Sequence, residues 1–228
     1  MTNSTKFSCE FCKRAFSEQR FLFNHMCERK RRYLQRDDKV VKVALMMYHR
    51  WWERRMSRRN LPTMESFENT QFYASFVRFA RYLDDINAIN PLGFVDFLAR
   101  IEAPIDNWRR PDHYEAYIRD QCKNELPGEA IDRNIMLIDS WAIESGEDWR
   151  SFFRKVSPAR ATQWIISGRI SPWLLLIASS AADLLVRLSP EQMRKVEVAI
   201  DSSYWTARMA RHRDEVEELR AMLKEFQL

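Results

Sequence analysis

The sequence predicts an all-α fold, a multi-helix globular domain preceded by a small ββα-type module, and three observations carry that reading. Apolar residues recur at helical spacing, as Phe67, Phe72, Phe76, Phe79 and Leu83 do. Glycine is confined to four positions, Gly93, Gly128, Gly146 and Gly168, so little interrupts helix formation. Ser-Pro steps at Ser157-Pro158, Ser171-Pro172 and Ser189-Pro190 read as helix starts, with Ser as cap and Pro at the first position, where no N–H is needed. No run alternates with period two long enough to demand a sheet beyond one hairpin near the start. With 46% hydrophobic and 13% aromatic residues, a chain of this length can bury a substantial core.

The first module, residues 1–28, rests on the spacing of Phe7, Cys9, Cys12, Phe16, Leu22 and His25. This is the pattern of a two-cysteine, two-histidine zinc finger, covering residues included. A ββα unit is too small to fold without metal, so the covering Phe and Leu are as diagnostic as the ligands. The fourth ligand departs from the pattern. Cys27 comes two residues after His25, which on a regular helix turns it about 200° away. A zinc ion held by Cys9, Cys12, His25 and Cys27 therefore requires the helix to break or loosen after His25. The alternative is a metal-free helical hairpin whose cysteines are small core residues. Counting back from His25 puts Glu18, Phe21 and Asn24 where DNA-reading fingers meet bases, a poor reading set. The finger is better suited to docking, as a wedge that positions the next segment.

That next segment is basic. Residues 29–59 carry twelve basic against three acidic residues, a net +9 that leaves the rest of the +5 chain at −4. The stretch reads as a basic helix linking the finger to the body, with Arg29, Lys30, Arg31, Arg32, Arg36 and Lys39 as candidate phosphate contacts. A solvated charged face is the alternative. Trp51 fits an apolar stripe with Val40, Val43, Ala44 and Met47, and so reads as core, whereas Trp52 stays open between packing and stacking on a base.

The body, 60–228, reads as one all-helical domain. Helices are expected near 30–58, 64–88, 91–102, 111–124, 127–145, 147–156, 158–168, 171–187, 189–200 and 203–226. Ser189 and Gln192 complete a capping box. The apolar run from Trp173 contains Asp183 and is too short for a membrane span, so it reads as a buried helix. Val216, Leu219 and Leu223 give the last helix one packed face. Cys122, alone on its helix, reads as a half-buried small residue. Three of the four cysteines crowd the finger, which favours a reducing compartment. The first residues lack a charged-then-apolar signal pattern, so the expected location is the cytoplasm, with no membrane role.

Common nucleotide-cradle and nucleophile-elbow motifs are absent, as is His-Glu-x-x-His. Two constellations remain. Arg78, Arg81, Asp84 and Asp85 place guanidinium groups and carboxylates on neighbouring helix faces, the components needed to hold phosphate and take a proton. Ordinary i,i+4 ion pairing explains the same spacing. Arg109, Arg110, His113 and Tyr114 beside Trp108 share that ambiguity.

The Cys-x-x-Cys…His-x-Cys finger with Glu28 and four basic residues directly after it, then INPLGFVDF, GRISPWLLL and Tyr204-Trp205, resembles proteins encoded by tailed bacteriophages of the T4-like type. It is also similar to the predicted amino acid:DNA transferase family. The resemblance spans the whole chain and implies a DNA substrate. It also implies a transfer in which an amine displaces pyrophosphate from an activated 5-hydroxymethyluracil, with Arg78, Arg81 and Asp84 or Asp85 available to serve it. It carries no catalytic positions over. The competing expectation is a non-enzymatic DNA- or polymerase-associated regulator or adaptor, with a phage or host protein docked by the finger.

Overall fold

The structure, a computed structural model, describes residues 7–56 and 60–228, the side chain of residue 202 apart. Arg58, Arg59 and the end of the helix expected over 30–58 lie outside the described residues. The fold is all-α: fifteen α-helices, two 3-10 turns and one two-stranded hairpin among the described residues. The chain divides into two compact units at residues 113 and 114, so the dividing point falls inside the stretch read from sequence as a single domain.

In the first unit, β1 (Phe7–Ser8) and β2 (Ala15–Phe16) pair antiparallel, Phe7 opposite Phe16. After them come α1 (Gln19–Phe23), α2 (Glu28–Leu34), α3 (Lys39–Met56), α4 (Met64–Glu68), α5 (Tyr73–Asp85) and α6 (Pro91–Arg100). Helix α3 packs on α5 and α6. Its stripe of Val41, Ala44, Met47, Tyr48 and Trp51 is buried, as the i, i+3, i+4 spacing requires. Tyr48 meets Phe67 at 5.0 Å and Phe76 at 5.2 Å between ring centroids. Phe76 and Phe79 both stand edge-on to Trp108, the favoured arrangement of aromatic quadrupoles. Trp108 is fully buried and its indole N–H donates to the Ala103 carbonyl at 3.0 Å.

Helix α7 (Pro111–Asn124) leads into the second unit, which continues with α8 (Pro127–Ser145), α9 (Phe152–Lys155), α10 (Pro158–Ile166), α11 (Pro172–Ile177), α12 (Ala181–Leu185), α13 (Pro190–Glu197), α14 (Ser202–Arg211) and α15 (Arg213–Glu225). All three Ser-Pro starts occur as expected. Ser157, Ser171 and Ser189 accept from the amides of Arg160, Trp173 and Gln192, each with Pro in the first turn. Gln192 returns the bond to the Ser189 amide at 2.9 Å. The run from Trp173 is continuously buried only in its first part, as far as Ala178, with Trp173 and Leu174 fully so and Leu176 half-buried, whereas Ser179, Ala182, Asp183 and Val186 are exposed. No helix among the described residues is long and apolar enough to cross a membrane. Val216 and Leu223 are buried and Leu219 packs against the same core.

Four expected helices are each two, and local polar chemistry explains the first two breaks. The 30–58 stretch divides at residues 35–38, where Asp38 accepts from the amides of Val41 and Lys42 through its carbonyl and opens α3. Aspartates favour helix starts over interiors. The 64–88 stretch divides at 69–72, where the Asn69 side chain donates to the Glu65 carbonyl and Thr70 to that of Phe67, competing with the helix ladder. At 178–180, Ala178 turns extended with ψ 123°. At His212 the backbone leaves the helical region, with φ −113° and ψ 30°. The 147–156 stretch begins as a 3-10 turn over Trp149–Ser151 before α9.

Candidate metal centre and the basic face beside it

The hairpin, its knuckle and α1 bring four ligand side chains together. The chain turns after Cys9, whose carbonyl accepts from the Lys13 amide at 2.8 Å while its own amide donates to the Arg14 carbonyl at 2.9 Å. Lys13 sits at φ 61° to close this turn. Phe16 packs on the His25 ring, centroids 4.8 Å apart. Helix α1 then ends at Phe23, with Asn24 as its C-cap. Cys27 thus comes round to the metal side, the break that its spacing from His25 demands.

The sulfur atoms of Cys9 and Cys27 lie 4.0 Å apart, and Cys12 Sγ lies 3.2 Å from His25 Nε2. All four donor atoms fall within 4.8 Å of one another. Tetrahedral zinc–thiolate bonds of ~2.3 Å place two sulfurs about 3.8 Å apart, so the cluster fits one such ion. Soft thiolates with one imidazole are the donor set of a closed structural zinc site. A backbone hydrogen bond from Cys12 is the largest influence lowering the Cys9 thiol pKa, which favours the thiolate that a metal needs.

Cys27 is also the N-cap of α2. Its backbone is extended, φ −87° and ψ 164°, and its sulfur accepts from the Lys30 amide at 3.4 Å. The metal cluster therefore fixes the start of the basic helix, and Lys30 Nζ donates back to the His25 carbonyl at 3.3 Å.

The basic residues beyond it fall into two sets. Arg36 grips the Glu68 carboxylate through Nε and Nη2, both at 3.0 Å. Arg32 donates to the Glu68 carbonyl at 2.6 Å and lies over the Tyr73 ring at 4.6 Å. These two guanidinium groups, expected on phosphate, tie α2 to α4. Glu68 is buried, so losing either side of this pair leaves a charge uncompensated. Arg50 and Arg54 likewise both fork onto Asp96 of α6, at 2.6–2.9 Å. Arg31 pairs with Glu28 and Lys42 with Asp37. Arg29 and Lys39 remain exposed, with Arg29 donating only weakly to the Phe11 carbonyl at 3.4 Å. The charge run is thus partly internal scaffolding and partly open cations, of which Arg29 shares a cleft with Lys13 of the knuckle.

Arg78, Arg81, Asp84 and Asp85 are all exposed on α5. Arg78 approaches Ser75 Oγ at 3.2 Å and Asp106 at 4.0 Å. The Arg81–Asp85 pair suggested by spacing is not made among the described residues. None of the four lines the cleft beside Trp51, Arg55, Ser75 and Asp106, about 540 Å³, or the cleft between the finger's knuckle and α4. Arg110 is held by Asp112 at 2.7 and 3.1 Å, which takes it out of the second constellation. Trp51 is core, and Trp52 is half-buried against Tyr48.

Sequence reasoning missed three organising carboxylates. Glu68 and Asp96 have ordinary helical contexts, and only their distant arginine partners reveal them. Glu125, in the second unit, accepts from Arg133 at 3.0 and 3.1 Å and from Ser171 Oγ at 2.6 Å, while its carbonyl accepts from Trp173 Nε1 at 3.2 Å. This buried polar knot locks the start of α11.

No protein-family model, curated protein or solved structure matches the chain.

Proposed function

We propose that the chain is a zinc-ordered nucleic-acid-binding protein, with DNA as its first partner to test, in which the metal centre orients a basic face and catalyses nothing itself. The observation that carries the reading is Cys27, one residue serving as metal ligand and as N-cap of α2. The ion would close the ββα unit and hold α2 where exposed Arg29 shares a cleft with Lys13 of the knuckle. Phosphate contacts of this kind supply affinity without sequence information. Helix α1 is five residues long with Glu18 already paired to Arg20, which supports positioning over base reading by the finger.

For a base-modifying transferase, Arg78 and Arg81 would grip pyrophosphate and Asp84 or Asp85 would act as base. Their open, exposed setting favours binding over catalysis. A second reading has its own observation: Phe23 is 84% exposed on the finger, beside exposed Phe21 and Met26, a set suited to docking a protein partner.

The test is fluorescence anisotropy of zinc-loaded protein on labelled DNA across a salt series. Binding should weaken steeply with salt, and the double variant Arg29→Glu, Lys39→Glu should lower the slope by about two phosphate contacts. No binding at low salt, or a slope the double variant leaves untouched, would count against the reading.

A further inference from the structure

Between the finger's knuckle and the face made by α2 and α4 lies a cleft of about 450 Å³, within the range of small-ligand sites. Its walls differ in chemistry. The lining carries the exposed cations Lys13 and Arg29 together with exposed Glu10. Phe11 and Tyr33 form an aromatic corner with ring centroids 5.2 Å apart, and Tyr33 is 44% exposed. The far side carries Glu65 and Asn69, with Glu68 already bound to Arg36.

We propose that this cleft takes one nucleotide of a single-stranded nucleic acid, its base against Tyr33 and its phosphate on Lys13 and Arg29. The charge layout sets the orientation. A phosphate is attracted to the exposed cations Lys13 and Arg29, whereas the other cations of the lining are engaged, Arg36 on Glu68 and Arg32 on Glu28, so the phosphate sits on Lys13 and Arg29 and the base lies toward Glu65 and Asn69. There the Glu65 carboxylate accepts from an exocyclic amine, and the Asn69 amide both donates and accepts. Phe11 lies against the Tyr33 ring and the Arg36 guanidinium over it at 4.2 Å, so the base packs against the part of Tyr33 that these two leave exposed. Duplex bases, already stacked and paired, cannot present a face here. The inference rests on the nucleic-acid reading proposed for the basic face and narrows it to unpaired strands.

The experiment compares zinc-loaded wild type, Tyr33→Leu, Tyr33→Phe and Lys13→Gln by anisotropy on dC15, rC15 and a 15-base-pair DNA duplex at one salt concentration, cytosine supplying the exocyclic amine. Wild type should prefer the single strands. Tyr33→Leu should weaken them about fivefold or more, the scale of one lost stack, while Tyr33→Phe stays within about twofold of wild type and neither changes duplex binding. Preference between dC15 and rC15, which differ only in the 2′-hydroxyl, identifies the sugar that the cleft accepts. Equal losses on duplex and single strand, or no loss on either, overturn the cleft and leave the broader reading standing. No binding of wild type to any of the three overturns both. If Tyr33→Leu loses zinc or helicity, Lys13→Gln decides: its single-strand salt slope should fall by about 0.7, and an unchanged slope overturns the proposal.

Discussion

At position 27 a single sulfur faces the three other ligands and also accepts the Lys30 amide, so two effects can be separated by substitution. Serine is a good N-cap and a poor zinc ligand, whereas alanine is neither. Cys27→Ser is therefore expected to lower zinc affinity by orders of magnitude while keeping the α2 cap. Cys27→Ala should lose about 1 kcal/mol more at the cap. Zinc competition with a chromophoric chelator and amide exchange along α2 read the two separately; equal exchange in both variants would remove the capping role. Cys122 gives the opposite case. Burial, with Glu125 nearby, pushes its thiol up to about 12, so it should resist thiol reagents at pH 8 in the folded, metal-loaded protein and react on unfolding. Rapid labelling of the native protein at this residue would contradict that.

Among the elements, α3 is held to α6 by two arginines on one carboxylate. Burial alone would raise the Asp96 pKa, but hydrogen bonds and charge from Arg54 and Arg50 outweigh it and hold the group below the ordinary carboxylate range. A lowered folded-state pKa gives stability that is present above the unfolded value, ~3.9, and is lost as pH falls through the folded value. Asp96→Asn should therefore cost about 1–2 kcal/mol at neutral pH, allowing for the screening of half-exposed Arg54. The difference from wild type should shrink only below about pH 4. Urea unfolding across pH 2.5–7, roughly the span of these titrations, measures it, and a gap that does not vary with pH would rule out the ionised pair as its source.

Two glycines in the second unit share φ +71° but differ in their surroundings. A Cβ at Gly146 meets nothing within 4 Å, whereas one at Gly168 would stand 2.2 Å from Ile118 Cγ2. Gly146→Ala should cost about 1 kcal/mol, the left-handed backbone alone. Gly168→Ala should cost about 2 kcal/mol or more beyond that, because the core must shift. Equal losses in thermal or urea unfolding would contradict the close approach.

For the whole molecule, the helical class, the Ser-Pro starts and the four ligand positions could be read from sequence because each depends on residues a few positions apart. Phe16 and Leu22 identified the finger, and the two-residue step from His25 to Cys27 announced its broken helix. The features that could not be read depend on distance along the chain. Glu68 lies thirty-two residues from Arg36 and Asp96 forty-six from Arg50, so a charge count over residues 29–59 could not separate internal clamps from open cations. The helix break at 69–72 was hidden for another reason: short polar side chains there compete with the backbone ladder without interrupting the apolar pattern.

Cys9, Cys12, His25 and Cys27 are central to the proposed function, as the proposed holders of a zinc ion that orders the finger and α2. Elemental analysis of purified protein, then amide exchange before and after chelation, tests this most directly. The expected result is one zinc per chain in wild type and none in Cys9→Ser, with chelation removing protection from the finger and α2 while the helices after residue 114 keep theirs. A metal-free wild type with a protected finger, or zinc retained in Cys9→Ser, would contradict it.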